Sequence, residues 1–311
     1  MQYRRLGNSD LEISEISLGS WLTYGTGVDR DQAKACIRQA IDLGINFFDT
    51  ANMYGKGAAE TQLGNILSAY PRADYLLATK VYYPMSDTDR GLSRAQIFKQ
   101  IDASLKRLRT DYVDLYQCHR YDDETPLEET MEAMVEVVKS GKVRFIGFSE
   151  WSVCQIKAAA RHDGSVKFVS SQPRYSMLYR KPERKIFPIC NELQIGQIVW
   201  SPLAQGILTG KYWPERDPPE NSRAAARRIG RFSRDKVLRA VQNLRPIAQE
   251  HSASLSQLAL AWVLTKESVS SAIIGASRPE QIVENAKATG IELCQEGLQE
   301  IDRILSDVIR S

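Results

Sequence analysis

VDLYQCHRYDDETPLEETMEAMVEVVKSGKVRFIGF, residues 113–148, holds a strand, a helix and a strand in one reading. VDLYQC (113–118) is a short run dominated by apolar and aromatic residues, and FIGF (145–148) is another. Strands buried on both faces have this look, because helices cover a parallel sheet on each side. Between them, Leu127, Met131, Met134, Val135 and Val138 recur at helical spacing over 127–139, and the pattern stops at Gly141.

Working outward, the same unit repeats. Strand candidates fall at 16–19, 45–48, 75–79, 113–118, 145–148, 168–171, 197–200 and 272–274. Helical patterns fall at 30–43, 93–108 (behind the N-cap residue type Ser93), 127–139, 152–161, 182–193, 235–250 and 278–287. Eight strands alternating with helices predict a closed (β/α)8 TIM barrel, α/β in class, rather than an open sheet. Three features stand outside the repeat. Residues 1–14 read as a β-hairpin, YRRL and LEIS around Gly7-Asn8. Segment 213–234 reads as a long loop, and 255–266 and 295–307 as additional C-terminal helices. No low-complexity linker divides the 311 residues, so one domain over 1–311 is expected.

Composition narrows the function. With 41 basic and 38 acidic residues the net charge is +3, which gives no reason to invoke nucleic acid. No run of about 18 apolar residues suggests a membrane span. The five cysteines are far apart with no C-x-x-C pair, which suits reduced thiols in a cytoplasmic protein. Three histidines, His119, His162 and His251, lack metal-site spacing, so no metal is expected.

In such a barrel the chemistry lies at the C-terminal ends of the strands. Strand 2 ends in Asp49, with Tyr54 in the next loop; strand 3 ends in Lys80 and strand 4 in His119. Each alone has an ordinary reading: a cap, a surface tyrosine, a lysine reaching solvent, a structural histidine. All four on one face make a proton-donor unit. A phenol with a pKa of about 10 is a weak acid at neutral pH. A nearby ammonium is expected to lower it. Asp49 would hold Lys80, and His119 would orient a carbonyl oxygen. Trp21, Tyr24, Tyr82 and Tyr83 suggest an aromatic-lined pocket, and Met53 either lines it too or packs in the core.

GINFFDTANMYG (44–55), LLATK (76–80), DLYQCHR (114–120), GFSEWS (147–152), WSPLAQGILTGKY (200–212) and IIGASRPEQIVEN (273–285) together resemble the aldo-keto reductase superfamily. The last two are most similar to the branch of potassium-channel beta subunits and their bacterial relatives. The resemblance implies a (β/α)8 barrel, bound NADP(H), a small-molecule carbonyl substrate, and a tetrad at Asp49, Tyr54, Lys80 and His119. It implies Ser20, Trp21 and Asp49 near the nicotinamide, with Ser149 and Gln172 on its carboxamide and Trp200 stacked on its ring. Ser201, Pro202, Leu203, Ala204, Gln205, Gly206 and Lys211 would follow the pyrophosphate. Gly275, Ser277, Arg278, Gln281, Glu284 and Asn285 would meet the adenosine end, with Arg278 and Arg223 on a 2′-phosphate. The 213–234 loop would be a lid. No Rossmann fingerprint is present, since Gly25-Thr26-Gly27 lacks the third glycine.

The chain also departs from the pattern. Glu150 stands where many relatives carry Asn and the channel-subunit branch carries Arg, so it either weakens a cofactor contact or instead meets a ribose hydroxyl or a neighbouring base. That branch carries Asn where this chain has His119, which favours a working reductase over a regulatory NADP(H)-sensing subunit. Assembly stays open between monomer and homo-oligomer.

Overall fold

The fold comes from a computed structural model that describes residues 1–25, 27–220, 222, 225 and 234–310. A hairpin, β1 (Tyr3–Arg5) with β2 (Glu12–Ser14), comes first. Eight parallel strands then close a barrel: β3 (Ile16–Gly19), β4 (Phe47–Asp49), β5 (Leu76–Val81), β6 (Val113–Cys118), β7 (Val143–Phe148), β8 (Phe168–Ser171), β9 (Gly196–Trp200) and β10 (Val269–Ile274). β10 pairs with both β9 and β3, which removes every edge.

The crossover helices are α1 (Arg30–Asp42), α2 (Ala58–Leu67), α3 (Arg94–Leu108), α4 (Leu127–Lys139), α5 (Val153–Ala160) and α6 (Lys181–Glu192). Their starts follow local chemistry. The side chains of Asp29, Ser93 and Ser152 each accept from a backbone N–H of the first turn, and Ser152 with Gln155 forms a capping box. After β9 come α7 (Asp235–Gln242), α8 (Arg245–Glu250) and α9 (Leu255–Leu264); α10 (Pro279–Ala286) and α11 (Gln295–Leu305) follow β10.

Three expectations need correction. The helix α2 had no counterpart in the sequence reading. The helix expected over 235–250 is two, because Pro246 sits in the first turn of α8 and starts a new helix there. The segment 255–266 is not an addition: α9 is the crossover onto β10 and is buried along its whole length. Half of the 213–234 loop lies outside the described residues, Arg223 among them.

The hairpin closes the barrel floor. Leu6, Leu11 and Ile13 are fully buried among Phe47, Ala78, Leu115, Val169, Ile198 and Ile273 of the barrel interior. Gly7, at φ +52°, fits because a Cβ there would lie 2.4 Å from the Val169 carbonyl oxygen. Arg4 fastens the hairpin from below. Its Nε pairs with Glu15 at 2.7 Å, and its other nitrogens donate to the carbonyls of Val269 and Leu264, each at 2.8 Å.

No helix among the described residues is long and apolar enough to cross a membrane. The five cysteines are free, with Cys36, Cys118 and Cys190 buried and Cys154 and Cys294 exposed.

Candidate active site

The C-terminal ends of the strands open into a cleft of about 720 Å³. At its base, β4 and β5 bring Asp49 and Lys80 side by side. Lys80 Nζ lies 2.6 Å from Asp49 Oδ2 and donates to the Thr50 carbonyl at 2.7 Å. The lysine is fully buried and the aspartate nearly so. Asp49 Oδ1 accepts from Gln172 Nε2 at 2.9 Å and Gln117 Nε2 at 3.4 Å. The carboxylate therefore has hydrogen bonds on both oxygens, as a buried charge requires.

Tyr54 and His119 stand above this pair and line the cleft. Tyr54 begins a short tight turn in which Gly55, Lys56 and Gly57 all take positive φ. Its ring packs edge-on against the His119 imidazole, with centroids 5.7 Å apart, and Lys80 Nζ lies 5.2 Å from the ring centre. Tyr83 packs on the other ring contact of His119 at 4.8 Å. Buried Nδ1 of His119 has no hydrogen-bond partner among the described residues.

The electrostatics differ from the sequence-based expectation. Burial, and then the Asp49 carboxylate, push the Tyr54 phenol well above its ordinary value, against a smaller opposing pull from Arg120. The lowering expected from Lys80 is not seen, and the shift runs the other way. Burial also draws the Lys80 ammonium down, with Asp49 opposing. His119 is held well below an ordinary histidine by burial, then by Lys80 and Arg120. At neutral pH the tyrosine keeps its proton and the imidazole is neutral.

Of the residues that the resemblance implied for a cofactor, the cleft is lined by Trp21, Asp49, Ser149, Gln172, Trp200, Ser201, Pro202, Leu203, Gln205, Gly206, Lys211, Gly275, Ser277, Arg278, Gln281, Glu284 and Asn285. Ser20 and Ala204 are buried and do not line it; Ser20 Oγ donates to Thr50 Oγ1 at 2.8 Å instead. Of the aromatic set, Trp21 and Tyr83 line the cleft, as does Met53. Tyr24 lies in the core between barrel and helices, and Tyr82 is outside the lining.

The segment after β9 is bent by its backbone: Ser201, Ala204 and Gln205 all have positive φ, and so does Gly206 at +95°. Conformations of this kind cost energy and collect at functional sites. Arg278 is the N-cap residue of α10, makes no side-chain cap and is exposed at the cleft edge. Gln281 closes that turn by accepting from the Ser277 N–H at 2.9 Å.

Glu150 finds protein partners. At φ +60°, its Oε1 accepts from the Trp200 indole N–H at 2.9 Å and from the Arg174 backbone N–H at 2.6 Å. The departure from the family pattern thus fixes the indole in the cleft wall. Arg120 is a lining residue that the sequence reading passed over. It directly follows His119 at the end of β6, the same strand-end position that marked the other four. Among the described residues, no cluster of three or more His, Cys, Asp or Glu side chains is placed to hold a metal.

Residues 15–306 match the model of the Aldo/keto reductase family. The chain is 41% identical over 302 residues to a rice (Oryza sativa subsp. japonica) protein named a probable voltage-gated potassium channel subunit beta, covering 94% of this chain and 92% of that protein. An Arabidopsis thaliana protein of the same name is 42% identical over 303 residues, with the same two coverages. A Schizosaccharomyces pombe protein named a putative subunit of this kind is 41% identical over 324 residues, covering 98% and 93%. Among solved structures, a thermostable aldo-keto reductase in complex with the inhibitor epalrestat superposes with a TM-score of 0.80 at 30% identity, over 98% of this chain and 100% of that one.

Proposed function

The chain belongs to the aldo/keto reductase family, and from that premise we propose that it reduces aldehydes and ketones to alcohols with NADPH, with Tyr54 as the proton donor. The observation that carries this reading is the stacking of two layers at the cleft base. A protonated phenol and a neutral imidazole face the cleft, and a buried Lys80–Asp49 pair, the carboxylate hydrogen-bonded on both oxygens, lies beneath them. A bound nicotinamide supplies the hydride, which no side chain can provide.

The chain's own residues handle the proton and the oxygen. Tyr54 holds a proton that burial keeps in place at neutral pH. His119 offers a neutral imidazole beside it, suited to hold a carbonyl oxygen as charge grows there. Lys80 keeps a positive charge close behind the phenol ring, which helps the phenolate once its proton has left.

The lining fits a dinucleotide running from the tetrad to α10. Trp200, fixed by Glu150, offers a flat wall for the nicotinamide, with Ser149 and Gln172 within the same stretch. Ser201, Leu203, Gln205 and Lys211 follow for the pyrophosphate, where Gly206 takes the positive φ of +95° that favours glycine. Arg278, ahead of the α10 N-terminus, suits a 2′-phosphate, because a guanidinium and free helix N–H groups both favour one.

Tyr54→Phe tests the acid role. It is expected to lower kcat by about 10²–10⁴-fold while leaving the dissociation constant for NADPH, read by fluorescence titration, nearly unchanged. A Phe variant that turns over a good aldehyde at the parent rate would remove Tyr54 from the reaction. Equal dissociation constants for NADPH and NADH would remove Arg278 from the 2′-phosphate.

The names of the plant and yeast relatives favour a second reading, an NADP(H)-binding subunit that acts on a channel. A single turnover per chain followed by very slow NADP⁺ release would select it.

A further inference from the structure

Arg120 gives the cleft a charge that the proposed chemistry does not use. It lines the cleft, half-buried, beside His119 and Tyr83. One terminal nitrogen, Nη1, donates to the His119 carbonyl and to Ser149 Oγ at 3.3 Å. Its Cζ lies 5.5 Å from the Tyr83 ring centre. Neither Nε nor Nη2 donates to any described residue, so three of the five guanidinium N–H groups are unused.

The surrounding acids do not answer this charge. Asp49 is bound to Lys80. Asp122 accepts from the backbone of Leu92 and Glu124 and from Thr125 Oγ1. Glu124 pairs with Arg90, and Glu150 with Trp200 and the Arg174 N–H. Among the described residues no carboxylate lies within 4.0 Å of the Arg120 guanidinium. The substrate end of the cleft therefore presents a guanidinium with no carboxylate in contact among the described residues, fixed in orientation by the His119 carbonyl and by Ser149. A partly desolvated guanidinium with a free N–H fork matches a planar oxyanion.

We propose that Arg120 is an anion-recognition residue and that the substrates are carbonyl compounds carrying a carboxylate. The proposal rests on the reductase reading for the carbonyl half. The Tyr83 ring touches both the imidazole, at 4.8 Å between centroids, and the guanidinium. Both groups thus border the same ring at the cleft, which suits a substrate that carries a carboxylate besides the reacting carbonyl.

The test compares 4-carboxybenzaldehyde with methyl 4-formylbenzoate, which differ by one charge and little else. Both are assayed by NADPH oxidation at low ionic strength, with the parent, Arg120→Met and Arg120→Lys. Binding of the product 4-(hydroxymethyl)benzoate in the presence of NADP⁺ is read by calorimetry, independent of turnover. The parent is expected to prefer the acid in kcat/KM by about tenfold to a hundredfold, the range of a charge-assisted hydrogen bond. That preference collapses in the Met variant, is partly kept by Lys, and weakens with salt. A purely structural Arg120 would slow both aldehydes alike and leave the ratio intact, which overturns the proposal, as does a parent ratio near one. If neither aldehyde turns over but the hydroxy acid binds in an Arg120-dependent way, the reductase reading falls and the anion site stands. Absence of Arg120-dependent binding overturns the site itself.

Discussion

Replacing Lys80 with methionine keeps the apolar stem and deletes the ammonium 2.6 Å from Asp49 Oδ2. Asp49 is then a carboxylate at 3% exposure, left with amide donors from Gln172 and Gln117. Removing one partner of a buried pair costs about 3–5 kcal/mol. An unfolding entropy of about 2.1 cal/mol/K per residue, taken over 311 residues, is about 0.65 kcal/mol/K. The melting temperature should therefore fall by roughly 5–8 °C. Asp49→Asn should cost a similar amount, because Lys80 keeps only the Thr50 carbonyl. The double variant buries no charge and should be less destabilised than the sum of the singles by about 2–3 kcal/mol. The pH dependence has a definite sign. Burial holds the folded Lys80 value below the ordinary one, against the raising effect of Asp49. Between the folded value and that of the free side chain the unfolded chain binds the extra proton, so this group's contribution to stability rises with pH. Removing Asp49 widens that window downward, and the Asn variant should recover stability on going from neutral to alkaline pH more than the parent does. Thermal and urea melts followed by circular dichroism at the two pH values measure all of this. Singles that shift the melting point by less than about 2 °C, or a double equal to the sum, would show that the pair is not a coupled buried unit.

Burial, Lys80 and Arg120 keep folded His119 neutral well below the ordinary histidine value, so unfolding takes up a proton as pH falls through about 6.5. The parent should lose about 1.4 kcal/mol more than His119→Gln between pH 7.5 and 5.5, read by urea melts at each pH. Gly64→Ala should destabilise by about 1–3 kcal/mol, since a Cβ there would lie 2.6 Å from the backbone of Leu108 and force α2 off α3; an unchanged melting point would disprove the close approach. Glu150→Ala frees the Trp200 indole and should weaken NADPH binding about fivefold to tenfold, while Glu150→Gln keeps an acceptor and should not. Equal affinities for the Ala and Gln variants would count against the tether.

The barrel strands were legible because each is a compact apolar run, such as VDLYQC at 113–118, which matches β6 residue for residue. What escaped the sequence reading was set by tertiary contact. In α2 the core-facing positions include Glu60 and Gly64, which break an apolar stripe. Glu60 is buried because Arg107 Nε lies 2.6 Å from it and Thr79 donates to it, and Gly64 because another helix backbone presses there. Asp49, Tyr54, Lys80 and His119 could be placed on one face because barrel topology puts strand ends together. The direction of the Tyr54 shift could not be placed, since it depends on burial and on Asp49 outweighing a positive charge. Glu150 and Arg120 both follow a strand end, but only the folded chain shows that the acid holds an indole and that, among the described residues, the base meets no carboxylate.

The hairpin that Arg4 pins beneath the barrel turns the interior into a cul-de-sac. With Leu6, Leu11 and Ile13 as the stopper, Tyr54 is approached, among the described residues, from the strand-end side of the barrel. Two ligands sharing one doorway must queue. On the proposed reductase reading, a nicotinamide seated deeper along the wall would enter first and leave last, an order that product-inhibition kinetics would read.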